Sequence, residues 1–298
     1  MKHYTYQASD KNSLSRDPFH KIYKDSRGNL WVGTWDGCLN LYNYEKDNFK
    51  RYLASSKEGN IHSDHVLTIA EDQQQRLWIG TAGGGLYQYN YQNDSFKSFQ
   101  HVLKYPDGNY VRDITNIQQT QERALLLNTY HSLIFFNPDN NTFQEFPFNT
   151  HQSIEPILFM CSLSDSKNNI WIGTNIGIFQ FDKKTEIYIA YNKYKELTDL
   201  SIKSIIEDKN GLLWTSTNNG IFKINEKDNS ITKYTKQDGF ASSEFKKEAA
   251  YMNSKGTFYF GTSNGLNYFN PDALKTNQKS PSLAITSLAV LHSQPNER

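Results

Sequence analysis

The residues best equipped to hold a ligand fall in short connecting segments: Trp35 and Asp36, His65, Arg112 and Asp113, Tyr130 and His131, Asn175, Asn218, Glu244 and Lys246. Aromatic rings beside hydrogen-bonding groups of both signs suit a polyhydroxylated or acidic ligand, because ligand sites combine apolar surface with a few orienting polar groups. Catalysis asks for more, namely a convergent acid/base pair or a set of metal ligands. Of the eight His, only His20, His65 and His131 lie in or near these segments, and no metal-ligand spacing joins them. No catalytic residue, metal site or cofactor is expected.

The elements that carry these segments recur. LWVGT (30–34), LWIGT (77–81), LLLNT (125–129), IWIGT (170–174), LWTST (213–217) and FYFGT (258–262) stack in one register. Six residues before the second position of each stands a turn former: Asp25, Asp72, Thr120, Asp165, Asp208 and Asn253. Asp and Asn bond their own backbone two residues on, so this spacing predicts a hairpin turn. Three residues after each closing Thr come Gly37, Gly84, Ser132, Gly177, Gly220 and Gly265, and Asn219-Gly220 and Asn264-Gly265 are strong tight-hairpin signals. In five repeats a pair of aromatic or apolar residues spaced by three follows, as in Phe49/Tyr52 and Phe96/Phe99. Each repeat of about 45 residues is thus four short strands, a to d, joined by hairpins, the signature of a β-propeller blade. The expected fold is all-β, with six blades visible. The column of Trp31, Trp78, Trp171 and Trp214 is read as wedge filler between neighbouring sheets, and the 14 % aromatic content is read as chiefly blade packing of this kind.

In such a blade the b–c and d–a connections share one face. The length differences between repeats all fall there, and every candidate ligand residue does too. Loops of this kind on a rigid scaffold carry function disproportionately. The third blade replaces Trp, Asp and Gly with Leu126, Thr120 and Ser132 around Tyr130-His131, a change read as drift more than specialisation.

Thirty-two Lys+Arg against 31 Asp+Glu, interspersed, remove the field of a dedicated nucleic-acid or anionic-membrane binder. No apolar run approaches the ~20 residues of a membrane helix, and the start of the chain lacks the apolar core of a signal peptide. Cys38 and Cys161 fall in the first and fourth repeats, too far apart around a ring for a disulfide. Residues 1–18 contain an outer strand, with His3 and Tyr6 aligned to Phe49 and Tyr52. That strand closes the last blade to give a six-bladed ring, or belongs to a blade of a seven-bladed one. The repeats occupy 19–275. From 276 to 298 the pattern changes to a linker and one further strand.

The recurring D-x-x-G-x-L-W-I-G-T-x-x-G-L-x-x-Y-N unit resembles the two-component regulator propeller repeat of the periplasmic sensor regions of Bacteroidetes hybrid histidine kinases. The last repeat, GFASSEFKKEAAYMNSKGTFYFGTSNGLNYFNPDAL (239–274), resembles that family's terminal blade. The resemblance implies a truncated Tyr-rich Ig-like domain from Ser280, a periplasmic location, and an oligosaccharide or other small ligand. It further implies that the partners are an adjoining propeller and the Ig-like domain of the same parent, with a homodimer of the parent compatible, and with no nucleic acid and no membrane insertion by this segment. The family's propellers usually have seven blades, and six are visible in this chain. Two other readings stand beside this one: a lyase, since streptogramin lyases use propellers with similar Trp-containing repeats, and a protein-interaction scaffold.

Overall fold

The computed structural model describes residues 2–105, 107–148, 156–191 and 195–274. The expected strand beyond residue 276 lies outside them. Six antiparallel sheets follow one another in chain order and form a ring, a six-bladed β-propeller. The first blade is β1 (Phe19–Lys24), β2 (Leu30–Thr34), β3 (Cys38–Asn43) and β4 (Asn48–Tyr52), and the second is β5 (Val66–Glu71), β6 (Leu77–Thr81), β7 (Leu86–Asn90) and β8 (Ser95–Ser98). The third is β9 (Asn116–Gln119), β10 (Leu125–Asn128), β11 (Ser132–Asn137) and β12 (Thr142–Pro147), and the fourth is β13 (Phe159–Ser164), β14 (Ile170–Thr174), β15 (Gly177–Asp182) and β16 (Ile187–Ala190). The fifth is β17 (Ile202–Glu207), β18 (Leu213–Thr217), β19 (Gly220–Asn225) and β20 (Ser230–Tyr234). The sixth has three strands, β21 (Phe245–Met252), β22 (Phe258–Thr262) and β23 (Gly265–Phe269). The first strands of successive blades, β1, β5, β9, β13, β17 and β21, pack side by side around the axis.

The Trp column fills the wedges between blades, as expected. All four rings are fully buried, and each meets the outer strand of its own blade, the next blade, or both. Trp31 lies 5.9 Å from Tyr52 and 4.9 Å from Tyr89, while Trp214 stacks on Tyr234 and meets Phe258 of the sixth blade at 5.4 Å.

The turn residue six positions earlier has a second task. Asp25, Asp72, Asp165 and Asp208 each accept backbone N–H bonds within their hairpin through Oδ1, and through Oδ2 each accepts the indole Nε1–H of its blade's Trp at 2.8–2.9 Å. A buried indole donor needs such a partner. In the third blade Thr120 cannot reach across and the ring is replaced by Leu126, so the two positions change together. In the sixth, Asn253 faces the hydroxyl of Tyr259 at 3.4 Å. At Asp25 burial works against ionisation, but the bonds from Trp31, Asn29 and Tyr91 outweigh it and hold the carboxyl below its usual range.

Cys38 and Cys161 are free and buried, and burial pushes the Cys38 thiol up to about 12.

Candidate functional site

Strand a carries a recurrent irregularity. The pairing to strand b slips between Phe19 and Lys21, Val66 and Thr68, Phe159 and Cys161, and Ile202 and Ser204. In the sixth blade it slips over the longer stretch between Phe245 and Ala250. A bulge leaves the extra residue unpaired and re-aims its side chain. The residues so released include His20, Leu67, Lys247 and Glu248, and all four line a cavity of about 270 Å3 on the propeller axis. Trp35 and Tyr130, from the b–c connections of the first and third blades, complete its wall with Thr115. The cavity therefore opens at the end of the propeller where the sequence places the variable loops.

One wall is aromatic and braced. The His20 ring stacks on Trp35 at 5.5 Å, and His65 meets the indole edge-on at 4.3 Å. His65 is itself held at both ring nitrogens, by Asp36 at 2.8 Å and Asp64 at 2.6 Å. These three are the one group of potential metal ligands that come together among the described residues. With both imidazole nitrogens already paired to carboxylates, their evident work is to fix the ring that supports Trp35. Burial, then the charges of Lys247 and Lys21, push the His20 imidazole below its ordinary value and keep it neutral at pH 7.

The opposite wall is charged. Glu248 has a left-handed backbone (φ 53°), a strain of order 1–3 kcal/mol for such a residue. Its Oε1 has no partner among the described residues, and its Oε2 lies 3.7 Å from Lys21 Nζ. The Lys247 amine sits 5.8 Å from the Tyr130 ring centroid. Burial raises the Glu248 pKa despite the nearby Lys21 and Lys247. A raised carboxyl pKa costs stability once the unfolded-state group ionises, so the penalty is absent below about 4 and grows as pH rises toward the folded value. Glu248→Gln is accordingly expected to raise the melting temperature at pH 7 and to leave it unchanged near pH 4. A variant that melts lower than the parent at pH 7 would show that the carboxylate is a net structural support.

Among the residues named from the sequence, Trp35 and Tyr130 line the axial cavity and Asp36 and His65 brace it. Tyr130, His131 and Asp113 line a second cavity of about 220 Å3 beside it, with Tyr105 and Glu145. Asp113 also accepts the Gly83 N–H at 2.9 Å. Asn175 and Asn218 are used as loop ties, accepting the N–H groups of Leu158 and Ser201 at 2.8 and 3.1 Å. Arg112, Glu244 and Lys246 are exposed and line neither cavity. His20 stood near the edge in the sequence, but Lys247 and Glu248 were missed. Their signal was the aligned position just inside strand a, shared by His20 and Leu67.

The two component regulator propeller profile matches residues 13–36, 60–83 and 196–219, each running from a d–a connection through strands a and b. The fold is similar to the extracellular domain of the putative hybrid two component system BT3049 from B. thetaiotaomicron, with 25 % identity and a TM-score of 0.70 over 87 % of this chain. A second B. thetaiotaomicron extracellular domain, of the putative one component system BT4673, gives 21 % and 0.59 over 90 % of this chain. This chain spans 34 % and 40 % of those two structures. A catalytically inactive virginiamycin B lyase from Staphylococcus aureus, solved with quinupristin, shares the fold at 13 % identity and a TM-score of 0.64, covering 88 % of this chain and 81 % of its own. No curated protein matches the sequence. The two component regulator propeller repeat is thus found in the first, second and fifth blades, and the fold around it is similar to that of the BT3049 extracellular domain.

Proposed function

We propose that this propeller is a ligand-sensing module of the periplasmic region of a hybrid two-component histidine kinase, and that it takes a glycan fragment in the axial cavity. The observation that carries the reading is the braced indole of Trp35 facing Lys247 and Glu248 across the axis. A flat apolar ring opposite groups that can donate to and accept from hydroxyls is the combination a sugar ring requires. Ligand sites usually span about 300–1,000 Å3, so 270 Å3 suits one sugar residue or the terminal ring of a fragment. Similarity to the BT3049 extracellular domain supports the sensory role, with catalytic output elsewhere in the parent. Among the described residues no helix is long and apolar enough to cross a membrane. Signalling through a C-terminal Ig-like neighbour would require the ligand to favour one arrangement of the two domains, because only differential affinity shifts an equilibrium.

Calorimetry against a panel of oligosaccharides tests this. One member is expected to bind, and Trp35→Ala should weaken it at least about tenfold, a loss near 1.4 kcal/mol, with the melting temperature unchanged because the ring is already 37 % exposed. A folded protein that binds no member, or a Trp35→Ala variant that binds as well as the parent, would defeat the reading.

A further inference from the structure

Charge is unevenly matched around the axial cavity. The carboxylates that border it are already engaged: Asp36 and Asp64 hold His65, Asp113 accepts the Gly83 N–H, and Glu248 turns Oε2 toward Lys21. The cations are not. Lys247 lines the cavity half-buried, its amine 5.8 Å from the centroid of the Tyr130 ring, and has no ion-pair partner among the described residues. Lys203 occupies the slipped position of strand a in the fifth blade, between Ile202 and Ser204, and is likewise unpaired among those residues.

Two neighbours register the excess. Burial is the largest influence on the His20 imidazole, and the charges that act on it next are both positive, those of Lys247 and Lys21. The Cys161 thiol, raised chiefly by burial and then by Glu248, is pulled back by Lys247 and Lys203. Three cations therefore gather around the axis beside one carboxylate, and the cation that lines the cavity has no counter-ion. Partial burial strips water from an ammonium without replacing it. An anion arriving at Lys247 gains a charge-assisted hydrogen bond where screening is weaker than in water, and a neutral hydroxyl gains about half as much.

We propose that Lys247 selects for charge: the ligand of the axial cavity is an acidic sugar whose carboxylate or sulfate ester is seated on this amine while its ring lies on Trp35. The assignment rests on the glycan reading above and narrows it. Trp35 and Lys247 belong to opposite walls of one cavity of about 270 Å3, so a single ring can meet both. Glu248 Oε1, buried and without a partner among the described residues, is an acceptor for a ring hydroxyl, and Lys21 at its other oxygen offsets the repulsion between Glu248 and the anion.

The test is calorimetry of the 298-residue chain with glucose-, galactose- and mannose-configured disaccharides, each with its terminal ring in three forms: the neutral sugar, the uronate, in which C6 is a carboxylate, and the 6-O-sulfate. At least one charged form should bind about tenfold or more tighter than its neutral parent, and the uronate and sulfate arms tell which anion is preferred. Raising NaCl from about 50 to about 500 mM should cut that preference at least about threefold. Lys247→Gln should abolish the preference while changing the affinity for the neutral parent less than about threefold, and Lys247→Arg, which keeps the charge, should retain most of it. If Lys247→Gln fails to fold, the Arg variant and the salt series on the parent protein decide. A neutral disaccharide that binds, weakens in Trp35→Ala and has no tighter charged form would overturn the charge assignment and leave the glycan reading standing. A preference that survives Lys247→Gln would place the anion on another cation and overturn the role of Lys247. If no disaccharide of any form binds, both readings fall.

Discussion

Trp171→Ala is expected to lower the unfolding free energy by about 3–5 kcal/mol in urea denaturation. The ring is wholly buried, meets Tyr191 at 4.8 Å, and is packed with Ile202, Ile205 and Phe222 of the next blade, so its loss opens a void on both sides of one wedge. Domains are stable by only about 5–15 kcal/mol, so this change removes a large part of the total and soluble yield should fall with it. Trp171→Phe separates packing from polarity. It keeps most of the ring but removes the Nε1–H donated to Asp165 Oδ2, which then retains Asn169 Nδ2 at 2.8 Å, and a cost of about 1–2 kcal/mol follows. Trp35→Ala should stay within about 0.5 kcal/mol, as surface changes do. Equal costs at Trp171 and Trp35 would overturn the division between wedge-filling and ligand-facing tryptophans.

That division was legible in the sequence because one Trp column keeps the repeat's register and Trp35 falls outside it. Strand boundaries, hairpin Asp residues and the loop-bearing face were legible for the same reason: a period near 45 averages six copies of one pattern. What was hidden is what periodicity does not encode. The bond from Asp to the indole uses the same six-residue spacing as the hairpin, so one signal covered two causes. The bulges that bring His20, Leu67, Lys247 and Glu248 to the axis are register slips, which change no residue type and leave no mark in composition. Lys246, named from the sequence, stands one position from Lys247, which lines the cavity. Asn175 and Asn218 illustrate the reverse error of emphasis, since a loop Asn can serve a ligand or its own backbone, and these two bind backbone N–H groups. At the N-terminus the sequence aligned Tyr6 with Tyr52, whereas the hydroxyl contacts put Tyr4 there. The two tyrosines are two residues apart, so alternation alone could not choose between them.

Gly80→Val is expected to be about as damaging as the loss of a wedge tryptophan, at ~3 kcal/mol or more, the upper end of overpacking costs. The glycine of LWIGT has an ordinary strand backbone, so conformational freedom does not explain it. Proximity does: a Cβ there would lie 2.6 Å from Thr68 Cγ2 in its own blade and 2.7 Å from the carbonyl oxygen of Ile114, where the chain enters the third blade. A side-chain methyl can turn aside, but a backbone oxygen cannot without shifting the blade that carries it. A Cβ at Gly33 or Gly173 would likewise lie 2.6 Å from the side chain of Val66 or 2.5 Å from that of Ile202 in the next blade, so the small residue sets how closely successive blades approach near the axis. Where the repeat departs from Gly it compensates with polar pairing, Ser216 bonding Ser204 and Asn128 accepting from Ser162 Oγ. Gly83→Ala is the control. Its backbone is left-handed (φ +84°) but the space around it is open, so it should cost only the conformational strain of about 1–2 kcal/mol. Circular dichroism melts of the three proteins decide the matter. If Gly80→Val melts no lower than Gly83→Ala, close blade approach is not what the motif glycine provides.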